Sequence, residues 1–240
     1  MHRLLACLLP VSVLISSARA ENSPFTGSYQ ATLSASTLGA AKPSLGHRLG
    51  LSYAPSFGGS FDSRTEYYVE GSYNGDPPGV LRHNVNEPKF EQQLMFNRGL
   101  GVEGLGLTVG LLYHYNFKFF DQYYWAIAGL THTLPLGKNV TLSTAAVMEK
   151  KLSGARWFSD VSGTLEWRFT PGWNTQLAVH HYENVGETDL APTHKREIEL
   201  GVNWSVTKQQ TVGVSFFRHI QFGAANDQFS FVKLKYGVNF

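Results

Sequence analysis

The end of the chain sets the pattern. Counting back from Phe240, every second residue is apolar: Phe240, Val238, Tyr236, Leu234 and Val232. Two lysines, Lys233 and Lys235, sit between them. A period of two with one apolar face is a β-strand. The same alternation recurs upstream. Ile198, Leu200, Val202, Trp204 and Val206 oppose Glu197, Glu199, Gly201, Asn203 and Ser205. Leu105, Leu107, Val109 and Leu111 oppose Gly106, Thr108 and Gly110, and Val161, Leu165, Trp167 and Phe169 oppose Asp160, Ser162, Glu166 and Arg168.

Scanning for such segments predicts about twelve strands, near 26–36, 44–54, 62–74, 87–98, 101–116, 121–134, 138–150, 155–169, 172–183, 194–206, 209–221 and 228–240. The connections alternate in character. Short turns at Arg98–Gly101, Pro135–Lys138, Thr170–Trp173 and Thr207–Lys208 interleave with longer polar links at Asn74–Asn86, Glu183–Thr193 and Phe222–Gln228. The link from Ala54 to Phe61 is long for its class. An even number of antiparallel strands joined alternately by short and long links is the topology of an outer-membrane barrel. The expected fold class is therefore all-β: one transmembrane antiparallel barrel in up-and-down order.

Alternation alone fits a soluble sandwich as well. The start of the chain, the terminal aromatic Phe240 and the aromatic strand ends together favour the membrane case. Met1-His2-Arg3, an apolar run from Leu4 to Ile15, and Ala18-Arg19-Ala20 read as a secretory signal peptide over residues 1–20, leaving residues 21–240 as the barrel. The run is shorter than the roughly 20 apolar residues needed to span a bilayer. The single cysteine, Cys7, lies in that leader, so no disulfide or thiolate metal site is expected beyond it. An exported chain with 13% aromatic residues, 24 glycines and no apolar helix can enter a membrane only as a closed barrel. The expected partner is outer-membrane lipid, and the alternating strand that ends on Phe240 resembles the C-terminal signature of bacterial outer-membrane barrels, which implies barrel-assembly machinery as a second partner. The net charge of +2 gives no reason to expect nucleic acid. No cofactor and no metal are implied.

The strand parity points one set of charges into the lumen, including Arg48, Arg64, Lys89, Arg168, Glu197, Glu199, Lys233 and Lys235. Both signs are present. Such a lumen is either a hydrated channel with local charged tracks or a plug of cross-strand ion pairs. Closure of the last strand on the first places Lys233 and Lys235 beside Gln30 and Thr32, where they can form a basic stripe with Arg48. Gly201 and Ser215 are expected to face lumenal water. Arg218 is the exception, in register with Phe216 on the outside.

An alternative is catalytic. If residues 170–173 form a tight hairpin, Ser162 falls opposite His180 with Asp160 on the same face, the composition of an acyl-transfer triad. A one-residue slip would dissolve it.

The leader, the length, the twelve-strand count, the short loops and the lumenal basic residues together resemble the small monomeric oligogalacturonate-specific porins. The resemblance is one of architecture over the whole barrel region and rests on no specific motif. It implies a monomeric channel for passive diffusion of small hydrophilic solutes, acidic oligosaccharides among them. That family has an arginine-rich lumen, whereas this one is mixed.

Overall fold

The computed structural model describes residues 24–38, 44–69, 89–117, 121–152, 157–184, 194–222 and 228–240. The proposed leader lies outside the described residues. Twelve strands run β1 (Phe25–Leu38), β2 (Ser44–Tyr53), β3 (Ser60–Val69), β4 (Lys89–Gly99), β5 (Leu105–Asn116), β6 (Asp121–Pro135), β7 (Val140–Lys151), β8 (Trp157–Thr170), β9 (Trp173–Asn184), β10 (His194–Ser205), β11 (Gln210–Phe222) and β12 (Gln228–Asn239). Each pairs antiparallel with its sequence neighbours, and β1 pairs with β12 to close the barrel. Closure leaves no strand edge, so backbone groups are satisfied without a helix. Among the described residues no helix is long and apolar enough to cross a membrane.

The alternation sorts the side chains as the sequence predicts. Leu111, Leu130, Val161, Leu177, Leu200, Val202, Val214 and Leu234 are exposed on the outer wall, where only lipid can cover them. Aromatic residues gather at both ends of that wall. At the end holding the termini, Phe25 stacks on Tyr53, Phe61 lies against Phe96, and Trp173 stacks on Trp204. Towards the other end Tyr113 meets Tyr124, and Tyr67 and Tyr115 meet Phe117. Amphipathic rings at two levels mark the two membrane–water interfaces.

Among the described residues one boundary differs from expectation by more than two residues. β5 starts at Leu105 rather than near residue 101, because Gly101 and Gly104 both adopt positive φ (79° and 71°). That backbone is open to glycine and closed to an extended strand. A Cβ at Gly104 would also collide with the Thr133 carbonyl. The long β2–β3 link is a built turn: Gly58 donates to the Pro55 carbonyl at 3.1 Å, and Gly58 and Gly59 are left-handed. The strand predicted to 74 is described only to Val69.

Candidate functional site: the barrel lumen

Inward residues divide the lumen into two unlike halves. Against β4–β8 it is filled. Leu112, Trp125 and Ile127 are buried together, with Met95, Tyr123, Val147 and Phe158 packed on them. Trp125 meets Phe158 edge-on at 5.2 Å, and Tyr123 stacks on His114 at 4.6 Å. Lys151 places its ammonium 4.5 Å from the Tyr123 ring, a cation–π contact.

The other half is open. A cavity of about 530 Å³ is bounded by β1, β2, β12 and the facing β8–β10 wall. Its lining includes Gln30, Thr32, Arg48, Gln176, His180, Asn203, Glu197, Glu199, Lys233 and Lys235. Five of the predicted lumen charges thus meet in one space: Arg48, Glu197, Glu199, Lys233 and Lys235. A second cavity, about 670 Å³, lies under the β8–β9 turn at the end holding the termini, with Asn139, Glu166, Arg168 and Asn174 in its wall. Arg168 is there, its Nε 2.9 Å from Glu166 Oε1. Arg64 stands on β3 beside Arg48. The side chain of Lys89, at the first position of β4, lies outside what is described.

The charges are paired rather than free. Glu199 accepts from Ser215 Oγ at 2.7 Å, from Lys233 Nζ at 2.9 Å and from Lys235 Nζ. Lys233 also sits 3.9 Å from the Phe217 ring centre. Glu66 is clasped by two guanidinium groups, Arg48 at 2.5 Å and Arg64 at 3.0 Å. Both arginines stay near half exposed, at 45% and 44% of their side chains, while Glu66 is buried at 5%. The basic stripe is therefore a set of lysine–carboxylate and arginine–carboxylate clusters. Its register also differs by one pleat from the sequence reading: Thr32 faces Lys235, and Ser34, not Gln30, is the second partner, facing Lys233.

Gly201 and Ser215 do not face open water. Ser215 is buried under Glu199, and a Cβ on Gly201 would lie 3.2 Å from the Ser215 Cβ. Long side chains from β10 and β12 close over these two short ones, which strand parity cannot reveal. Arg218 lies on the outer face as expected, and donates to Gln228 Oε1 at 3.0 Å.

Sequence reasoning singled out His180 with Asp160 but missed His114 and His219. Three inward histidines each lie beside a carboxylate on a neighbouring strand. His114 Nδ1 is 2.9 Å from Glu91, His219 Nδ1 is 3.0 Å from Glu197, and His180 Nδ1 is 3.4 Å from Asp160. The signal was present, since His114 and His219 share parity with the inward glycines and serine of their strands, but an isolated histidine has no motif. Among the described residues no group of three or more His, Cys, Asp or Glu could hold a metal.

The proposed triad is assembled in part. The register sets Ser162 opposite His180, and Asp160 lies beside the histidine. Ser162, however, makes no side-chain hydrogen bond to His180 among the described residues. Asp160 and His180 form one of three like pairs, so their contact has a lumenal explanation that needs no nucleophile.

No protein-family model matches the sequence, and no curated protein does. Solved structures do match in fold. An outer membrane channel from Pseudomonas putida F1 superposes with a TM-score of 0.60 at 11% identity, over 92% of this chain and 97% of that one. The NanC porin gives 0.56 at 13%, over 88% and 98%. The KdgM porin in complex with disordered oligogalacturonate gives 0.55 at 8%, over 90% and 98%. At such identities the likeness is one of fold: a closed twelve-stranded barrel of the kind used by small outer-membrane porins.

Proposed function

We propose that this chain is an outer-membrane channel for passive diffusion of small hydrophilic solutes. The observation that carries the reading is the charged cavity inside a closed barrel with an apolar belt. A barrel that only anchored itself would gain more by filling its interior, as β4–β8 do. Here the opposite half keeps space lined by Arg48, Lys233 and Lys235 against Glu197 and Glu199. Tracks of charged side chains are how pores select by sign. Barrel topology puts the termini and short turns in the periplasm, and the β3–β4, β9–β10 and β11–β12 links outside.

Acidic oligosaccharides are the first solutes to test. One barrel of this fold is solved with oligogalacturonate, and Arg48 and Arg64, near half exposed, carry guanidinium groups suited to carboxylates. Against a strong anion preference stands Glu199, which engages both lysines. The protein acts as a monomer in this proposal, since one chain closes one barrel.

Single-channel recording in planar bilayers tests it. Open currents are expected from the purified protein, with selectivity moving towards cations in Lys233→Glu/Lys235→Glu. Silence in bilayers, together with lipid hydrolysis that Ser162→Ala abolishes, would replace the channel by the enzyme. Silence with no hydrolysis would leave a structural barrel.

A further inference from the structure

We infer that the outer wall between β7 and β11 carries a binding site for the phosphate of an anionic outer-leaflet lipid. The lipid-facing parity on these strands is interrupted by Lys150, His181, Arg196 and Arg218. Strand register brings His181, Arg196 and Arg218 together, with Lys150 flanking them two strands away on β7. His181 pairs with Arg196, Arg196 pairs with Ile220, and Arg218 pairs with Ile198. The two arginines are thus diagonal neighbours on adjacent strands, a separation of roughly 7–8 Å that long side chains close easily. Lys150 pairs with Trp157, and its ammonium lies 5.0 Å from that ring.

Their depth is the second argument. Lys150, His181, Arg196 and Arg218 each stand about eight to ten residues from the periplasmic end of their strand. At a tilt near 40° a strand climbs roughly 2.5 Å per residue, so all four lie about 20–25 Å up. That is the upper edge of an apolar belt about 25 Å tall. Below them the same wall is Leu165, Leu177, Leu200, Val202 and Val214. Lys150, Arg196 and Arg218, with His181 among them, therefore form one level, at headgroup height, on one side of the barrel. Among the described residues, the β4–β6 wall toward the same rim carries Phe90, Tyr113, Tyr115 and Tyr124 on its outer face and no basic side chain. Among the described residues one acid shares the basic wall: Glu183, across from His194 in register and diagonal to Arg196; one carboxylate against Lys150, Arg196 and Arg218 leaves the patch net positive.

Cations at this height meet headgroups, and the group there that matches two guanidinium forks is phosphate, which arginine binds in a bidentate manner. Lumenal solutes cannot reach these side chains from inside the barrel. The site rests on the membrane orientation proposed above but not on transport.

The test uses the full barrel in detergent micelles with radiolabelled bisphosphorylated lipid A as probe. Wild type is expected to bind it at least tenfold more tightly than Arg196→Gln/Arg218→Gln, and at least tenfold more tightly than it binds the dephosphorylated lipid. Arg98→Gln, outward at the periplasmic end, should stay within twofold of wild type. Folding of each variant is read from heat-modifiable gel mobility. If the double variant does not fold, Lys150→Gln and Arg218→Gln are compared singly, each expected to weaken binding about threefold. Equal affinity for the two lipids, or wild-type affinity in folded variants, would overturn the site. Channel currents are expected unchanged in these variants, so loss of lipid binding and loss of conduction are separable.

Discussion

Phe240 and Gly27 exchange both backbone hydrogen bonds, at 2.6 and 2.8 Å, and the phenyl ring lies over the glycine where a Cβ would stand. This contact extends the β1–β12 seam, the step at which an open sheet becomes a barrel. Gly27→Ala forces the ring to move and is expected to destabilise by about 1–3 kcal/mol. Phe240→Leu in the same background should recover part of that loss. A double-mutant cycle on urea midpoints measures the coupling; additive effects would mean that the ring and the glycine do not act together.

The outer wall makes a second prediction. Leu200→Arg or Leu234→Arg places a cation among acyl chains and should cost about 2–4 kcal/mol. The inward contrast must be chosen from geometry rather than parity. Gln30 lines the cavity, so Gln30→Arg is expected to leave stability within about 0.5 kcal/mol. Ser215→Arg is inward too, yet it should be damaging, because Ser215 is buried and holds Glu199. Unfolding in urea from lipid vesicles ranks the four variants.

The histidine pairs give a third. Glu91 and His114 are both buried, with only 5–8% of their side chains exposed. His114→Ala removes a buried carboxylate's partner and is expected to cost about 1–3 kcal/mol. His180 is 36% exposed and its contact to Asp160 is longer, so His180→Ala should cost less than about 1 kcal/mol, since water can replace the ring. Comparable losses at both positions would show that burial does not set the difference.

Much of this was legible in the sequence. Alternation located the strands because lipid outside and water inside demand opposite chemistry at successive positions. It failed where that contrast fails. Leu111-Leu112 and the run from Tyr123 to Ile127 are apolar on both faces, and the inward members Leu112, Trp125 and Ile127 fill half the lumen. The β5 start was missed because Gly101 and Gly104 look like strand glycines until their φ is known. Charge parity gave the right wall for Arg48, Lys233 and Lys235 but not their partners. Pairing depends on strand register and side-chain reach, and no local pattern encodes that Glu199 lies under two lysines from β12.

That Glu199 arrangement carries the last prediction. Its carboxylate takes hydrogen bonds from Ser215, Lys233 and Lys235 within the cavity. A paired ammonium offers a passing anion little net field, so the two lysines are held in reserve. Glu199→Gln keeps the shape and removes one negative charge, leaving Lys233 and Lys235 with Arg48 as a net positive track. The amide oxygen still accepts from one lysine, which limits the loss of stability. Reversal potentials under a salt gradient should move towards anion selectivity, and a carboxylated sugar should block the current at lower concentration than in wild type. Lys233→Glu/Lys235→Glu should move the reversal potential the opposite way, by gathering four carboxylates, Glu197 and Glu199 included, in one space. Because Lys233 is only 15% exposed, the shift in Glu199→Gln should be smaller than in the double variant, where the inserted charges have no cation between them. Equal reversal potentials in wild type and Glu199→Gln would mean that the ion path does not pass this cavity, and that the lysine–glutamate cluster only braces the β10–β12 wall.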